Sequence, residues 1–247
     1  MKLVLAEPRL LKESVSIISE LVNEVTFVVD SNAIELKAMD PAKVSMIVFK
    51  LLSSAFVEYE VENETKISVS LEGLNQILKR AKPSDTLHLE MDNKKNQLII
   101  KLKGESSRTF KLTLLDYDEK EHTLPNLKFG AKIEMPSSVF YEAIDDMGVV
   151  AESVAFKSDK TQFVIEAESK LNSAIVKVTG NDETTIECGD DVVSKYSLEY
   201  LKKIVKGSKL AENVVIQFGN EYPLRADFKV MDKLSMMFIL APRVIDE

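Results

Sequence analysis

The 247-residue chain has no tryptophan, one cysteine and two histidines. A lone Cys188 excludes an intrachain disulfide and the stapled secreted scaffolds that depend on one, so a reducing intracellular compartment is expected. His88 alternates with apolar residues and has no neighbouring His, Cys or spaced carboxylates, so it does not begin a metal site. Cys188 lacks a catalytic histidine context, and no Gly-x-x-x-x-Gly-Lys-Ser/Thr loop exists, which excludes a P-loop ATPase. Eight glycines and seven prolines leave little room for disordered or low-complexity stretches. No apolar run approaches the roughly 20 residues that span a bilayer. The opening Met1-Lys2-Leu3-Val4-Leu5-Ala6-Glu7-Pro8 is too short and too soon interrupted for a secretory signal. No catalytic motif is left to explain.

What the chain does have is charge of both signs: 32 Lys and Arg against 40 Asp and Glu, a net of −8. That balance argues against an indiscriminate nucleic-acid binder. Yet the segment Ser70-Leu71-Glu72-Gly73-Leu74-Asn75-Gln76-Ile77-Leu78-Lys79-Arg80-Ala81-Lys82 recurs as Ser197-Leu198-Glu199-Tyr200-Leu201-Lys202-Lys203-Ile204-Val205-Lys206-Gly207-Ser208-Lys209, with seven of thirteen positions identical. Both copies read as a helix capped by serine, apolar on one side and basic on the other. An acidic chain that twice concentrates lysine on one kind of helix is segregating its charge.

The duplication is wider than this helix. At an offset of 129, Leu11, Val15, Ile18 and Phe27 align with Phe140, Ile144, Met147 and Phe156. Ile34, Leu36, Ala38 and Ile47 align with Phe163, Ile165, Ala167 and Val176 in the same register. Two halves sharing a register indicate one fold unit built twice. The expected domains are 1–116 and 131–247, joined by an ordered connector over 117–130. Each half alternates β-type runs with two helical patterns. In the first, Pro8–Asn23 and Leu71–Lys82 are the helices; in the second, Ser137–Met147 and Leu198–Val205. The fold class is therefore α+β, two tandem pseudo-repeats with a pair of helices on one face of an antiparallel sheet. Sheets of this kind have edges, and exposed edges invite pairing with another copy.

Certain stretches together resemble one family. They are Leu36-Lys37-Ala38-Met39-Asp40-Pro41-Ala42-Lys43-Val44-Ser45, the helix Leu74–Lys82, Leu124-Pro125, Phe218-Gly219-Asn220-Glu221-Tyr222-Pro223-Leu224 and Phe238-Ile239-Leu240-Ala241-Pro242-Arg243-Val244. In order, they are similar to the proliferating cell nuclear antigen family, the DNA sliding clamps of archaea and eukaryotes, with an archaeal leaning. The resemblance implies the DNA-clamp fold and a ring of three subunits and six domains, helices lining a hole around duplex DNA. It implies a processivity factor, not an enzyme, with no cofactor. Its partners would be double-stranded DNA held without sequence preference, a clamp loader, DNA polymerase, flap nuclease, DNA ligase and further copies of itself, with no membrane. It would work in the cytoplasm on the nucleoid, or in the nucleus of a eukaryotic source. Two alternatives stand beside this reading. One is a subunit of a heterotrimeric or damage-checkpoint clamp. The other is a metal-dependent hydrolase using Asp116-Tyr117-Asp118 in the acidic connector.

The resemblance also assigns residues. Lys12, Lys79, Arg80, Lys82, Lys202, Lys203, Lys206 and Lys209 would face DNA and touch phosphates without reading bases. Arg108, Lys111 and Thr113 on one edge strand, and Ala174, Val176 and Val178 on another, would meet between subunits. A pocket for partner peptides of the form Gln-x-x-aliphatic-x-x-aromatic-aromatic would have Met39, Val44 and Met46 as its floor. Leu124 and Pro125 would form the connector wall, and Pro223, Leu224, Ile239, Ala241 and Pro242 the far side. Adaptable methionines suit such a site, while His122 stands where relatives often carry an aliphatic residue. The third helix departs from the basic pattern: Glu142, Asp145, Asp146 and Glu152 would repel phosphate. It is expected either to meet Arg80, Lys82 or Arg108 of a neighbouring subunit or to stay solvated.

Overall fold

The computed structural model describes residues 1–116 and 122–243. The chain divides into two compact units. The first comprises Met1–Pro41, Ile47–His122 and Val230–Met236, the second Ala42–Met46, Thr123–Lys229 and Met237–Glu247. The elements of the first half are β1 (Lys2–Leu5), α1 (Arg9–Ile18), β2 (Glu24–Val29), β3 (Ala33–Met39), β4 (Ser45–Leu52) and β5 (Glu58–Glu60). They continue with β6 (Thr65–Ser70), α2 (Leu71–Leu78), β7 (Thr86–Asp92), β8 (Gln97–Lys103) and β9 (Ser107–Thr113). The second half repeats the order: β10 (Ala131–Pro136), α3 (Ser137–Met147), β11 (Ser153–Ser158), β12 (Gln162–Glu168), β13 (Ser173–Thr179) and β14 (Thr185–Cys188). It closes with β15 (Val192–Ser197), α4 (Leu198–Ile204), β16 (Asn213–Phe218), β17 (Leu224–Val230) and β18 (Leu234–Leu240).

In the first unit, one sheet runs β5-β1-β7-β8-β9 and a second set runs β6-β2-β3-β4. Antiparallel registers place Leu3 opposite Leu89, Ile100 opposite Phe110 and Phe27 opposite Ile67. The second unit repeats these as β14-β10-β16-β17 and β15-β11-β12-β13, with Ile133 opposite Ile216 and Ile165 opposite Val176. The residues that carry the sequence repeat are the core residues. Leu11, Val15, Ile18, Phe27, Ile34, Leu36, Ala38 and Ile47 are buried, as are all their partners in the second half except the half-buried Val176. Removing that apolar surface from water, at about 25 cal/mol per Å², is what couples each helix pair to its sheets.

The two cores are filled differently. In the second unit Phe156 sits at the centre of an aromatic cluster, its ring 5.2 Å from Tyr196, 5.3 Å from Phe163, 5.9 Å from Phe218 and 6.1 Å from Phe140. Its counterpart Phe27 has one aromatic neighbour, Phe49, at 6.4 Å. Where the second unit has Phe140 and Phe163, the first has Leu11 and Ile34. These line a small apolar cavity of about 30 Å³ in the first unit.

Three local expectations need correction. Helix α2 ends at Leu78, not Lys82, with Arg80 N–H and Ala81 N–H donating to Ile77 O and Leu78 O in i→i+3 turns. Helix α1 stops at Ile18, not near Asn23, and the chain tightens into i→i+3 turns through bonds from Glu20 N to Ile17 O and from Leu21 N to Ile18 O. The tighter turn still buries Leu21 and Val22, which is why the apolar periodicity runs past the helix. Ser70 and Ser197 occupy the N-cap positions of α2 and α4 but make no side-chain capping bond. A backbone carbonyl from an earlier loop takes part of that role: Leu71 N–H donates to Asn23 O at 2.8 Å and Leu198 N–H to Glu152 O at 2.9 Å.

Candidate functional site

In the first unit, α1 packs against α2, and the turn that follows α2 presents Lys79, Arg80 and Lys82. The last carbonyls of a helix lack intrahelical donors and carry partial negative charge, so cations gather there. Lys12 reaches across from α1, and its ammonium donates to Ala81 O at 3.2 Å. Arg108 reaches in from β9, donating to Arg80 O at 2.9 Å and pairing with Asp85. Asp85 is 2% exposed and also accepts from Lys82 N–H at 2.7 Å. That backbone bond, followed by the Arg108 guanidinium, holds its carboxyl below the usual carboxylate range. A methyl at Gly104 would run into Asp85 Oδ1, so the turn before β9 needs glycine. Lys82 is exposed and reaches Glu105 at 3.4 Å, while Lys79 and Arg80 are exposed with no side-chain partner among the described residues.

The second unit repeats the device with the helices exchanged. Lys202 of α4 lies across the C-terminal end of α3, where a methyl on Gly148 would meet its Nζ at 2.5 Å. Lys203 pairs with Glu199 at 2.9 Å and lies 5.1 Å from the centre of the Tyr200 ring. Lys206 is half-buried and Lys209 exposed. Of the eight predicted phosphate-facing residues, Lys12 and Lys202 are therefore turned toward a neighbouring helix end, and Lys203 is partly engaged on its own helix. Sequence spacing cannot reveal such partners; Lys12 and Ala81 are 69 residues apart. On α3, Glu142, Asp145 and Asp146 are exposed and have no cationic partner among the described residues.

Both predicted subunit strands are sheet edges: among the described residues, β9 pairs only with β8 and β13 only with β12. Along β9, Arg108, Phe110 and Leu112 are half-buried while Ser107, Thr109, Lys111 and Thr113 are exposed. Along β13, Ala174, Val176 and Val178 turn inward, and Ile175 is 56% exposed. Helix α2 packs against β9 and α3 against β13. One open edge is thus flanked by basic side chains, the other by acidic ones. By the repeat, the counterpart of β9 is β18 and that of β13 is β4, and both of these have strands on either side. Ala241 N–H donates to Val44 O at 2.9 Å in the second unit, and Leu52 N–H to Lys233 O at 2.8 Å in the first.

Of the predicted peptide-pocket residues, Met39 belongs to the first unit and the other nine to the second. Val44, Ala241 and Pro242 come together along an open groove of about 760 Å³ that continues past Ala151, Glu152 and Tyr200 to Arg243. Leu124 is 44% exposed and Pro125 is exposed beside it, whereas Pro223 and Ile239 are half-buried. Met46 and Leu224 are sealed in the core at 4% and 0% exposure, so neither is open to a peptide as predicted. His122 is half-buried at the start of the described connector. Tyr117 and Asp118 lie outside the described residues, and among the described residues no His, Cys, Asp and Glu cluster to hold a metal. None of the described helices is long and apolar enough to cross a membrane.

The two units share one plan, a helix pair on open antiparallel sheets, with basic residues near the helix ends and β9 and β13 among the sheet edges. The chain belongs to the proliferating cell nuclear antigen family, whose N-terminal domain matches residues 1–122 and whose C-terminal domain matches residues 123–243. It is 38% identical to a DNA polymerase sliding clamp of Pyrococcus horikoshii over 228 residues, 92% of this chain and 91% of that protein. A sliding clamp of Nanoarchaeum equitans is 31% identical over 247 residues, 98% of this chain and 99% of that protein. Among solved structures, a PCNA from Thermococcus kodakaraensis superposes with a TM-score of 0.92 at 26% identity, covering 98% of this chain and 99% of that one.

Proposed function

We infer that the chain is the subunit of a DNA sliding clamp, a polymerase processivity factor with no catalytic step of its own. Copies join into a ring that encircles duplex DNA and tethers replication and repair enzymes, clamp loader, polymerase, flap nuclease and ligase among them. The observation that carries this reading is the pair of unsatisfied sheet edges, β9 and β13, with opposite charge beside them. Alternate residues of each seven-residue edge offer backbone donors and acceptors with no partner strand. Antiparallel pairing of β9 with β13 between chains would satisfy both of these edges. Because β9 of one copy meets β13 of the next, the contact is head to tail and generates a ring when the rotation closes. Three copies of two repeats give the six-domain ring of the family.

The charges choose the partner more than they hold it. Arg80 and Lys82 beside one edge face Glu142, Asp145 and Asp146 beside the other, and exposed pairs of this kind contribute about 0–1 kcal/mol each, while Arg108 is already held by Asp85. Backbone pairing and burial of Phe110, Leu112, Val176 and Ile175 supply the stability. Lys79, Arg80, Lys82, Lys206 and Lys209 then supply weak, sequence-independent phosphate contacts that permit sliding. The domain division at the connector, the peptide pocket around Leu124, Val44 and Ala241, and the homotrimeric state belong to the same reading.

Light scattering on Lys111→Pro tests it. Proline removes an edge donor and disturbs β9. The variant shifts toward monomer at low micromolar concentration while both units stay folded by circular dichroism. A trimer of unchanged mass counts against the assigned edge. An unmodified chain that is itself monomeric favours the heterotrimeric alternative.

A further inference from the structure

The loop between β16 and β17 is fastened in two directions at once, and Tyr222 is the residue common to both. On one side its main-chain carbonyl accepts from Tyr196 Oη at 2.7 Å and from Ser194 Oγ at 3.3 Å, both on β15. Val193 secures the same loop twice more, donating its N–H to Asn220 Oδ1 at 2.8 Å and accepting from Glu221 N–H at 3.1 Å. On the other side the Tyr222 hydroxyl accepts from Lys128 N–H at 3.4 Å, and its ring meets Phe129 edge-on at 6.0 Å. Glu221 reaches this arrangement at φ 47°, a left-handed conformation that a glutamate adopts only when its surroundings hold it there. Pro223 follows at once in the chain, and Leu124-Pro125 stand three to four residues before Lys128.

We propose that Tyr222 is a positioning residue for partner capture, holding the connector to β15 so that the Leu124-Pro125 wall stands at a set distance from Pro223. The proposal rests on the reading of the connector and tail as the peptide pocket. From Leu124 to Leu127 no hydrogen bond to another described residue restrains the connector, so the Tyr222 anchor at Lys128 is the first fixed point behind the wall. A wall held in place is competent before the peptide arrives. A loosened one is competent for only part of the time, and apparent affinity falls by that fraction. Tyr222 does not face the groove, so its loss slows productive association and leaves dissociation unchanged.

The test uses the full chain and a synthetic peptide of the form Gln-x-x-aliphatic-x-x-aromatic-aromatic, with Tyr222→Phe, Tyr222→Leu and the pocket control Leu124→Ala/Ile239→Ala. Tyr222→Phe keeps the ring and the carbonyl bonds and loses only the acceptor for Lys128. It binds about threefold more weakly through a lower association rate, with an unchanged thermal midpoint and faster deuterium exchange at the Lys128 amide. Tyr222→Leu binds about tenfold more weakly. Unchanged affinity in both tyrosine variants, with the pocket control impaired, overturns the positioning role alone. A faster dissociation rate at unchanged association also overturns it, since that marks a direct peptide contact. If the pocket control itself binds normally, the pocket is misplaced and the proposal falls with it.

Discussion

Lys12→Ala separates two tasks that a lysine on a DNA-facing helix can perform. Its ammonium donates to Ala81 O at 3.2 Å, so alanine leaves that carbonyl without its charged donor and loosens α1 from the end of α2. A bond from a charged donor is worth about 1.5–3 kcal/mol when well formed, and the partial exposure and length of this one bring it nearer 1 kcal/mol. For a unit of this size that is a fall of about 3–5 °C in thermal midpoint. The same substitution removes no phosphate contact, so the salt dependence of association with duplex DNA is unchanged. Lys79→Ala gives the reverse result: its exposed side chain holds no partner among the described residues, stability is unaffected, and the salt slope falls by about 0.9 for the lost contact. Differential scanning calorimetry and a salt titration of DNA association, run on both variants, read the two quantities. The reasoning is refuted if Lys12→Ala lowers the salt slope as much as Lys79→Ala while leaving the midpoint where it was.

Phe156→Leu destabilises the second unit by about 2–4 kcal/mol, against about 1–2 kcal/mol for Phe27→Leu in the first, because only Phe156 loses four edge-on ring contacts. Urea unfolding with a probe in each unit measures this, and equal costs would show that ring geometry adds nothing beyond burial. The Asp85 carboxyl has its folded pKa held below the unfolded one, so its stabilisation is present above the unfolded value and lost as pH falls from about 4 through the folded value. Asp85→Asn therefore flattens the acid limb of the first unit's stability profile, and a limb as steep as before contradicts the assignment. Leu124→Ala with Ile239→Ala weakens capture of an aromatic-ended peptide more than tenfold by calorimetry with trimer mass unchanged, since each removes apolar contact worth about 1–3 kcal/mol.

Much of the fold was legible because burial enforces periodicity. Helix Ser137–Met147 has the bounds that its apolar spacing indicates. The duplication was legible because its matched residues, such as Val15 with Ile144, are the ones sealed from water. Where periodicity and backbone geometry part company, the reading slipped: Leu21 and Val22 continue the apolar pattern after α1 has ended in tighter turns. Ser70 has the composition of a side-chain cap, yet the carbonyl that receives the Leu71 N–H comes from Asn23, and such long-range substitution leaves no local trace. Strand order is equally silent in sequence. Nothing in Ser107–Thr113 or Ser173–Thr179 distinguishes an open edge from a paired strand, and the family resemblance supplied what the residues did not. The basic helix faces were visible, but the diversion of Lys12 and Lys202 to neighbouring helix ends was not. Tyr222 was visible only as part of a family stretch, since its role depends on Tyr196 and Lys128 folding against it.

Topological linkage is the central claim, and retention on circular against linear DNA measures it. The chain is loaded by a clamp loader onto a nicked circular plasmid and separated from free protein by gel filtration at moderate salt, where phosphate contacts alone are too weak to hold it. The protein is predicted to elute with the circle and to dissociate once a single restriction cut opens it, because a ring slides off a free end. Equal retention on the circle and on the cut DNA would contradict the account, showing ordinary binding by a basic surface.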